Sequence, residues 1–139
     1  MSNTIQFEIV TPERTVMKDV ITQVTVPTKE GEITVLPKHI PLVSILAPGV
    51  IELKNEAGET KIMSVSGGFV EVLHNKVVIL ADSAERAEEI NEERAEEARR
   101  RAEEARKNPK FEDKYANVSA AIAKELARTK ASRRWKAMK

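Results

Sequence analysis

The feature that most constrains this chain is a change of residue grammar near Asp82. Before it, short runs rich in Val, Ile and Thr are broken by Gly, Pro and Asn. After it, Ala, Glu and Arg dominate and glycine is absent. The first pattern suits strands and the second suits helices. The chain therefore reads as two bodies in series: a β-sandwich over residues 1–83 and a mobile helical hairpin over residues 84–139. The expected fold class is α+β, an N-terminal antiparallel β-sandwich followed by a C-terminal two-helix antiparallel hairpin.

Strands are expected at Ile5–Val10, Val16–Val26, Glu32–Leu36, Gly49–Lys54, Lys61–Val65, Gly68–Leu73 and Val77–Leu80. Several alternate with a period of two. Ile51, Leu53 and Ile62 are expected on one face, with Glu52, Lys54 and Lys61 on the other. Asn55-Glu56-Ala57-Gly58 and His74-Asn75-Lys76 read as compact turns. Many short strands at a spacing of about ten residues indicate a sandwich or barrel.

In the second half, Asp82 or Ser83 can cap a first helix, with Glu85 completing a capping box. Asn91 is an alternative cap ahead of Glu92 and Glu93. Acids come early (Glu85, Glu88, Glu89, Glu92, Glu93) and bases late (Arg99, Arg100, Arg101, Arg106, Lys107), which complements the helix dipole. Asn108-Pro109 is the expected stop. Phe111 to Asn117 is either a connection or the start of a second helix that runs to about Trp135.

The stripes are small. Ala84, Ala87, Asn91, Ala95, Ala98, Ala102 and Ala105 form one; Ala116, Ala120, Ala123, Ala127 and Ala131 form another, beside Val118, Ile122 and Leu126. At about 0.8 kcal/mol per methyl-sized group, such faces hold weakly. A weakly held arm on a firmly packed sandwich is the physical profile of a switch.

Composition narrows the function. The formal net charge is +1, which gives no general attraction to nucleic acid or an anionic membrane. There are no cysteines, hence no disulfides or thiolate zinc sites, as suits a reducing compartment. No apolar run approaches the roughly 20 residues of a membrane span, and Met-Ser-Asn-Thr-Ile-Gln lacks signal-peptide blocks. The expectation is a soluble intracellular protein that meets a membrane only through a partner.

Three stretches carry a family likeness: Gly31-Glu32-Ile33-Thr34-Val35-Leu36-Pro37-Lys38-His39-Ile40-Pro41-Leu42, Val65-Ser66-Gly67-Gly68-Phe69-Val70-Glu71-Val72, and Val78-Ile79-Leu80-Ala81-Asp82-Ser83-Ala84-Glu85-Arg86-Ala87. Together they resemble the epsilon subunit of bacterial F-type ATP synthases. The likeness extends over essentially the whole chain. Lys38 departs from it, standing where the family more often has glycine.

The resemblance implies a non-catalytic rotor subunit of a proton-translocating synthase, peripheral on the cytoplasmic face of the bacterial membrane. Its partners would be the gamma subunit, the c-ring and the alpha/beta catalytic head. The arm would lie beside the sandwich or extend along gamma, where it blocks rotation in the hydrolysis direction. A free-standing ATP-sensing module is the rival reading.

Individual residues follow from the same likeness. His39, between Pro37 and Pro41, would lie at the gamma and c-ring interface; otherwise it is a solvated loop residue. Arg128, Arg133 and Arg134, within the basic run that also holds Lys130, Lys136 and Lys139, would meet an acidic surface of the head. Otherwise they form a solvated tail. Members that bind ATP on the arm carry Ile-Asp-x-x-Arg-Ala. Ile90, Arg94 and Ala95 match it, Glu85 and Arg101 match by spacing, and Lys130 and Arg134 stand for two further bases. Asn91 replaces the aspartate. It can still accept from an adenine amino group, without charge assistance; equally, it can be a plain helix cap.

No cofactor is required on this reading, ATP being a regulatory ligand alone. No catalytic constellation and no glycine-rich phosphate loop with its lysine is present. His39 and His74 make no zinc site. Trp135 is the one aromatic near the basic run, which argues against nucleic acid.

Overall fold

A computed structural model describes residues 3–107 and 115–138. The Asn108-Pro109 stop, residues 111–114 of the connection, Lys139 and the side chains of residues 115–117 lie outside the described residues.

The described residues form nine strands: β1 (Ile5–Val10), β2 (Thr15–Thr28), β3 (Gly31–Val35), β4 (Leu42–Leu46), β5 (Gly49–Asn55), β6 (Thr60–Val65), β7 (Gly68–Val72), β8 (Lys76–Ala81) and β9 (Ala84–Arg86). Among the described residues they make one sheet in the order β1-β8-β7-β4-β2-β5-β6-β9, with β3 on β2 and β1 pairing back to β2. Every pair is antiparallel except β1 with β8. The long β2 bonds to β1 near its start and to β3 and β5 further on, so the sheet folds over at this strand. Between the two layers lies an apolar core that includes Phe7, Ile9, Ile21, Val24, Leu53, Met63, Val70 and Ile79.

Two strands depart from expectation. Leu42–Leu46 sits between Pro41 and Pro48, which read as loop punctuation. Both prolines fall just outside the strand, so neither removes a ladder bond, and β4 pairs along β7. Ala84–Arg86 was expected to open the first helix. It instead pairs with β6, Met63 opposite Arg86, because that edge offers its backbone a ladder. Asp82 and Ser83 accordingly cap nothing here: Ser83 Oγ donates to Ser66 Oγ at 2.7 Å, and Glu85 lies opposite Ser64. A 3-10 turn (Ala87–Glu89) follows, then α1 (Glu92–Arg106) and α2 (Tyr115–Ala137). The alternative cap is the real one, with Asn91 Oδ1 accepting from Arg94 N–H at 3.0 Å. Tyr115 onward is helix, and α2 runs two residues past Trp135.

The facing of Ile62 is also corrected. Register pairs Ile51 with Met63 and Glu52 with Ile62. Ile62 therefore shares the outer face with Val50 and Glu52, while Lys61 shares a face with Leu53. The hairpin turn sets this register: Asn55 Oδ1 accepts from both Ala57 N–H and Glu59 N–H at 3.0 Å. Both faces of β5–β6 are thus buried, one in the core and one under α2.

The Lys38 departure falls in a tight turn. Lys38 takes φ 67° at the third position of a turn closed by His39 N–H donating to the Leu36 carbonyl. Pro37 pre-sets the position before it. The left-handed conformation that glycine would adopt freely is here carried by a lysine, at a steric cost.

Candidate functional site

The arm touches the rest of the molecule through α2. One side of α2 lies on β5, β6 and the 3-10 turn, and the other on α1. This explains a buried set that the alanine stripe alone did not foretell. Ile122, Ala127, Thr129, Ala131 and Ser132 are buried, while Ala120 and Leu126 are exposed. The contact with the sheet is a second apolar cluster, separate from the core: Val50, Ile62, Ala87, Ile90 and Ala131, with Trp135 against them. Two ion pairs flank it. They are Arg128 Nε donating to Glu85 at 2.9 Å and Arg134 pairing with Glu52; within α2, Arg128 Nη1 also donates to Glu125 at 2.8 Å. Desolvation works against the Arg128 charge, but Glu125 and Glu85 outweigh it and hold the guanidinium above its ordinary value.

A different set ties α2 to α1. Arg133 Nε donates to Glu92 at 2.7 Å and Lys136 Nζ to its other oxygen at 2.9 Å. Arg99 bridges Glu96 and Glu103 along α1 at 2.9 and 2.8 Å. The Lys136 and Arg133 hydrogen bonds hold Glu92 below its usual value, and Arg99 does the same for Glu96. A carboxyl depressed in the folded state adds stability above its unfolded value, about 4.3, and loses it as pH falls through the lower folded value. Thermal melts from about pH 6 to about pH 3 should therefore show the hairpin loosening at the acid end. Gln at positions 92 and 96 should flatten that dependence; an unchanged acid slope would remove these two groups from the account.

The residues matched to the ATP-binding pattern are divided by this geometry. Ile90 is in the docking cluster, Ala95 is fully buried, and Asn91 is occupied as the cap. Arg94 and Arg101 are exposed and stack on one flank of α1. Glu96 and Arg99 face roughly the opposite way, about 140–160° away around a helix of 3.6 residues per turn. Lys130 and Arg134 line a groove with Glu96 and Arg99, on that opposite flank. Arg128, rather than Lys130 or Arg134, is the base that meets Glu85.

His39 is half-buried in its turn, with Nδ1 donating to the Ile40 carbonyl at 2.7 Å. Leu36 and Ile40 beside it are exposed, Ile40 at 75%. A larger apolar feature escaped sequence reading. Ile45, Phe69 and Leu80 stand in one cross-strand row on the outside of β4–β7–β8, with Val43 near them, and all four are exposed. The signal was present in Val77-Val78-Ile79-Leu80, an unbroken apolar run in which both faces are apolar. Among the described residues no cluster of three or more His, Asp or Glu side chains could hold a metal, and no helix is long and apolar enough to cross a membrane.

Comparison with known proteins agrees with this architecture. Residues 4–87 match the family model for the ATP synthase delta/epsilon chain β-sandwich domain, and residues 88–133 match that for its long α-helix domain. The ATP synthase epsilon chain of Chloroflexus aggregans is 46% identical over 125 residues, covering 89% of this chain and 88% of the relative. That of Herpetosiphon aurantiacus is 42% identical over 125 residues, covering 89% and 90%. Among solved structures, a chain of the Euglena gracilis mitochondrial ATP synthase, determined with its OSCP, F1 and c-ring, superposes with a TM-score of 0.81. It is 26% identical, and the match covers 91% of this chain and 80% of that one. The chain belongs to the ATP synthase delta/epsilon family as an epsilon chain, a non-catalytic subunit of that complex.

Proposed function

We propose that this chain couples the c-ring to the catalytic head as part of the central stalk of a proton-translocating synthase, and that its arm restrains ATP hydrolysis. The partners are the gamma subunit, the c-ring and the alpha/beta head, on the cytoplasmic face of the membrane. The observation that carries the reading is the slight attachment of the arm. α2 rests on the sandwich through one small apolar cluster and two partly exposed ion pairs, while the sandwich has a full core of its own. Such an arm can leave without unfolding its support. Arg128, Arg133 and Arg134 would then exchange Glu85, Glu92 and Glu52 for acids of the head. The exposed row of Ile45, Phe69 and Leu80 supplies an apolar face of the kind a permanent partner covers. Truncation before Asn91 should raise the ATPase activity of the assembled head complex. Unchanged activity at all ATP concentrations would sink the inhibitory role.

ATP binding on the arm is the second proposal. Arg94 and Arg101, exposed on one flank of α1, support it, with the Glu85–Arg128 pair as a further source of charge. Capping uses one lone pair of Asn91 Oδ1 and leaves another for the adenine amino group. Without a carboxylate the contact loses its charge assistance, so affinity should fall below that of aspartate-bearing relatives. Calorimetric titration of the isolated chain decides, since absence of heat at millimolar ATP would end the proposal. Copurification with gamma and the catalytic subunits separates a stalk subunit from a free-standing ATP sensor.

A further inference from the structure

Ser132 is 1% exposed, and its hydroxyl has no hydrogen-bond partner among the described residues. On α2 it is the middle of a row spaced by four residues, Arg128, Ser132 and Lys136, which lie one above another on one side of the helix. The ends of that row are tied to two different bodies. Arg128 Nε donates to Glu85 on β9, and Lys136 Nζ donates to Glu92 at the start of α1. Ser132 therefore sits at the corner where α2 meets both the sandwich and α1.

Nothing in the packing calls for a hydroxyl at this corner. The arm fills its tightest positions with alanine: Ala95, Ala127 and Ala131 are at most 5% exposed. Alanine at 132 would keep the helix, with higher propensity than serine, and would bury no polar atom. A buried hydroxyl without an acceptor opposes packing each time the arm closes, and regains its water when the arm opens. That penalty falls on an attachment that is small to begin with, one apolar cluster and two partly exposed ion pairs. In a full core such a term would be outweighed; here it shifts the balance.

We propose that Ser132 is a release element built into the arm: its unpaired hydroxyl opposes the packed state and keeps α2 ready to leave. The ion pairs of Arg128 and Lys136 aim the helix into one register on the sandwich and on α1, and Ser132 between them limits how firmly that register holds. The use of this element rests on the proposed inhibitory movement of the arm. The penalty itself belongs to the free chain and is read there. A chain with alanine at this position packs its arm more firmly and, on that reading, restrains hydrolysis less.

Amide hydrogen exchange of the full chain, without nucleotide, tests this. In Ser132→Ala the protection of the α2 amides should rise about tenfold, with the β7–β8 amides unchanged. Ser119→Ala, at a half-buried position of the same helix, controls for the better helix propensity of alanine and should raise protection about twofold at most. Unchanged protection in Ser132→Ala would overturn the proposal. So would a fall, the mark of a hydroxyl that bonds the Arg128 carbonyl one turn back, or an equal rise in Ser119→Ala. In the assembled complex Ser132→Ala should raise ATPase activity. A rise in α2 protection with no change in activity would count against the inhibitory role of the arm and leave the release element standing.

Discussion

Replacing Ile62 by aspartate should release α2 from the sandwich while the sandwich stays folded. Ile62 is only 1% exposed, yet it belongs to the cluster beneath the arm and not to the core between the layers. An unpaired carboxylate there costs several kcal/mol if it stays covered, more than the few small contacts of the docking cluster can offset. Lifting α2 lets water reach it. Trp135, the chain's single tryptophan, packs on the same cluster, so its emission should shift to the red. The main thermal transition should move little. Aspartate at the adjacent Met63, which points into the core, should instead unfold the sandwich. Unchanged Trp135 emission in Ile62→Asp, or loss of the sandwich transition, would refute the two-sided reading of β6.

The second large effect lies at Gly68. Its φ is 128°, and a β-carbon built there would overlap the Leu80 carbonyl oxygen, because Gly68 faces Ala81 across the β7–β8 ladder. Gly68→Val combines a disfavoured backbone with a main-chain clash that no rotamer relieves. Strain and overpacking together should cost about 3 kcal/mol or more, a large part of the stability of an ordinary domain. Chemical denaturation should show the midpoint falling steeply. Gly58 serves as the control: its φ is 81° but nothing lies within 4 Å of the added carbon, so Gly58→Ala should cost far less. Equal losses at the two positions would mean that backbone conformation, and not the close approach, makes glycine necessary at 68.

These two sites also show what could be read in the chain and what could not. The Ser-Gly-Gly-Phe stretch marked a special place, but only the pairing of β7 with β8 gives the reason. Strand periods were legible where one face is polar, as in β1. They misled at Ile62, because a strand covered on both faces has no polar side to fix its phase. β4 was hidden by flanking prolines that turn out to stand just beyond it. Local propensity placed Ala84–Arg86 in a helix, and the open edge of β6 overrode it. Asn91 as a cap was readable from the sequence, since capping is local. The partners of Arg128 and Arg134 were not, because Glu85 and Glu52 lie far away along the chain and only the docked arm brings them near.

β2 has a mechanical consequence. Its single backbone is hydrogen-bonded to β1 in one layer and to β3 and β5 in the other. A load applied to the outer face of β4–β7–β8 therefore reaches β5–β6 along covalent bonds and ladder hydrogen bonds, and not only through side chains that can slip. Shearing one layer past the other would require breaking β2 out of its ladders. The sandwich should be stiff in twist, and any compliance under torque should concentrate beyond β9, in the short turn that leads to the arm.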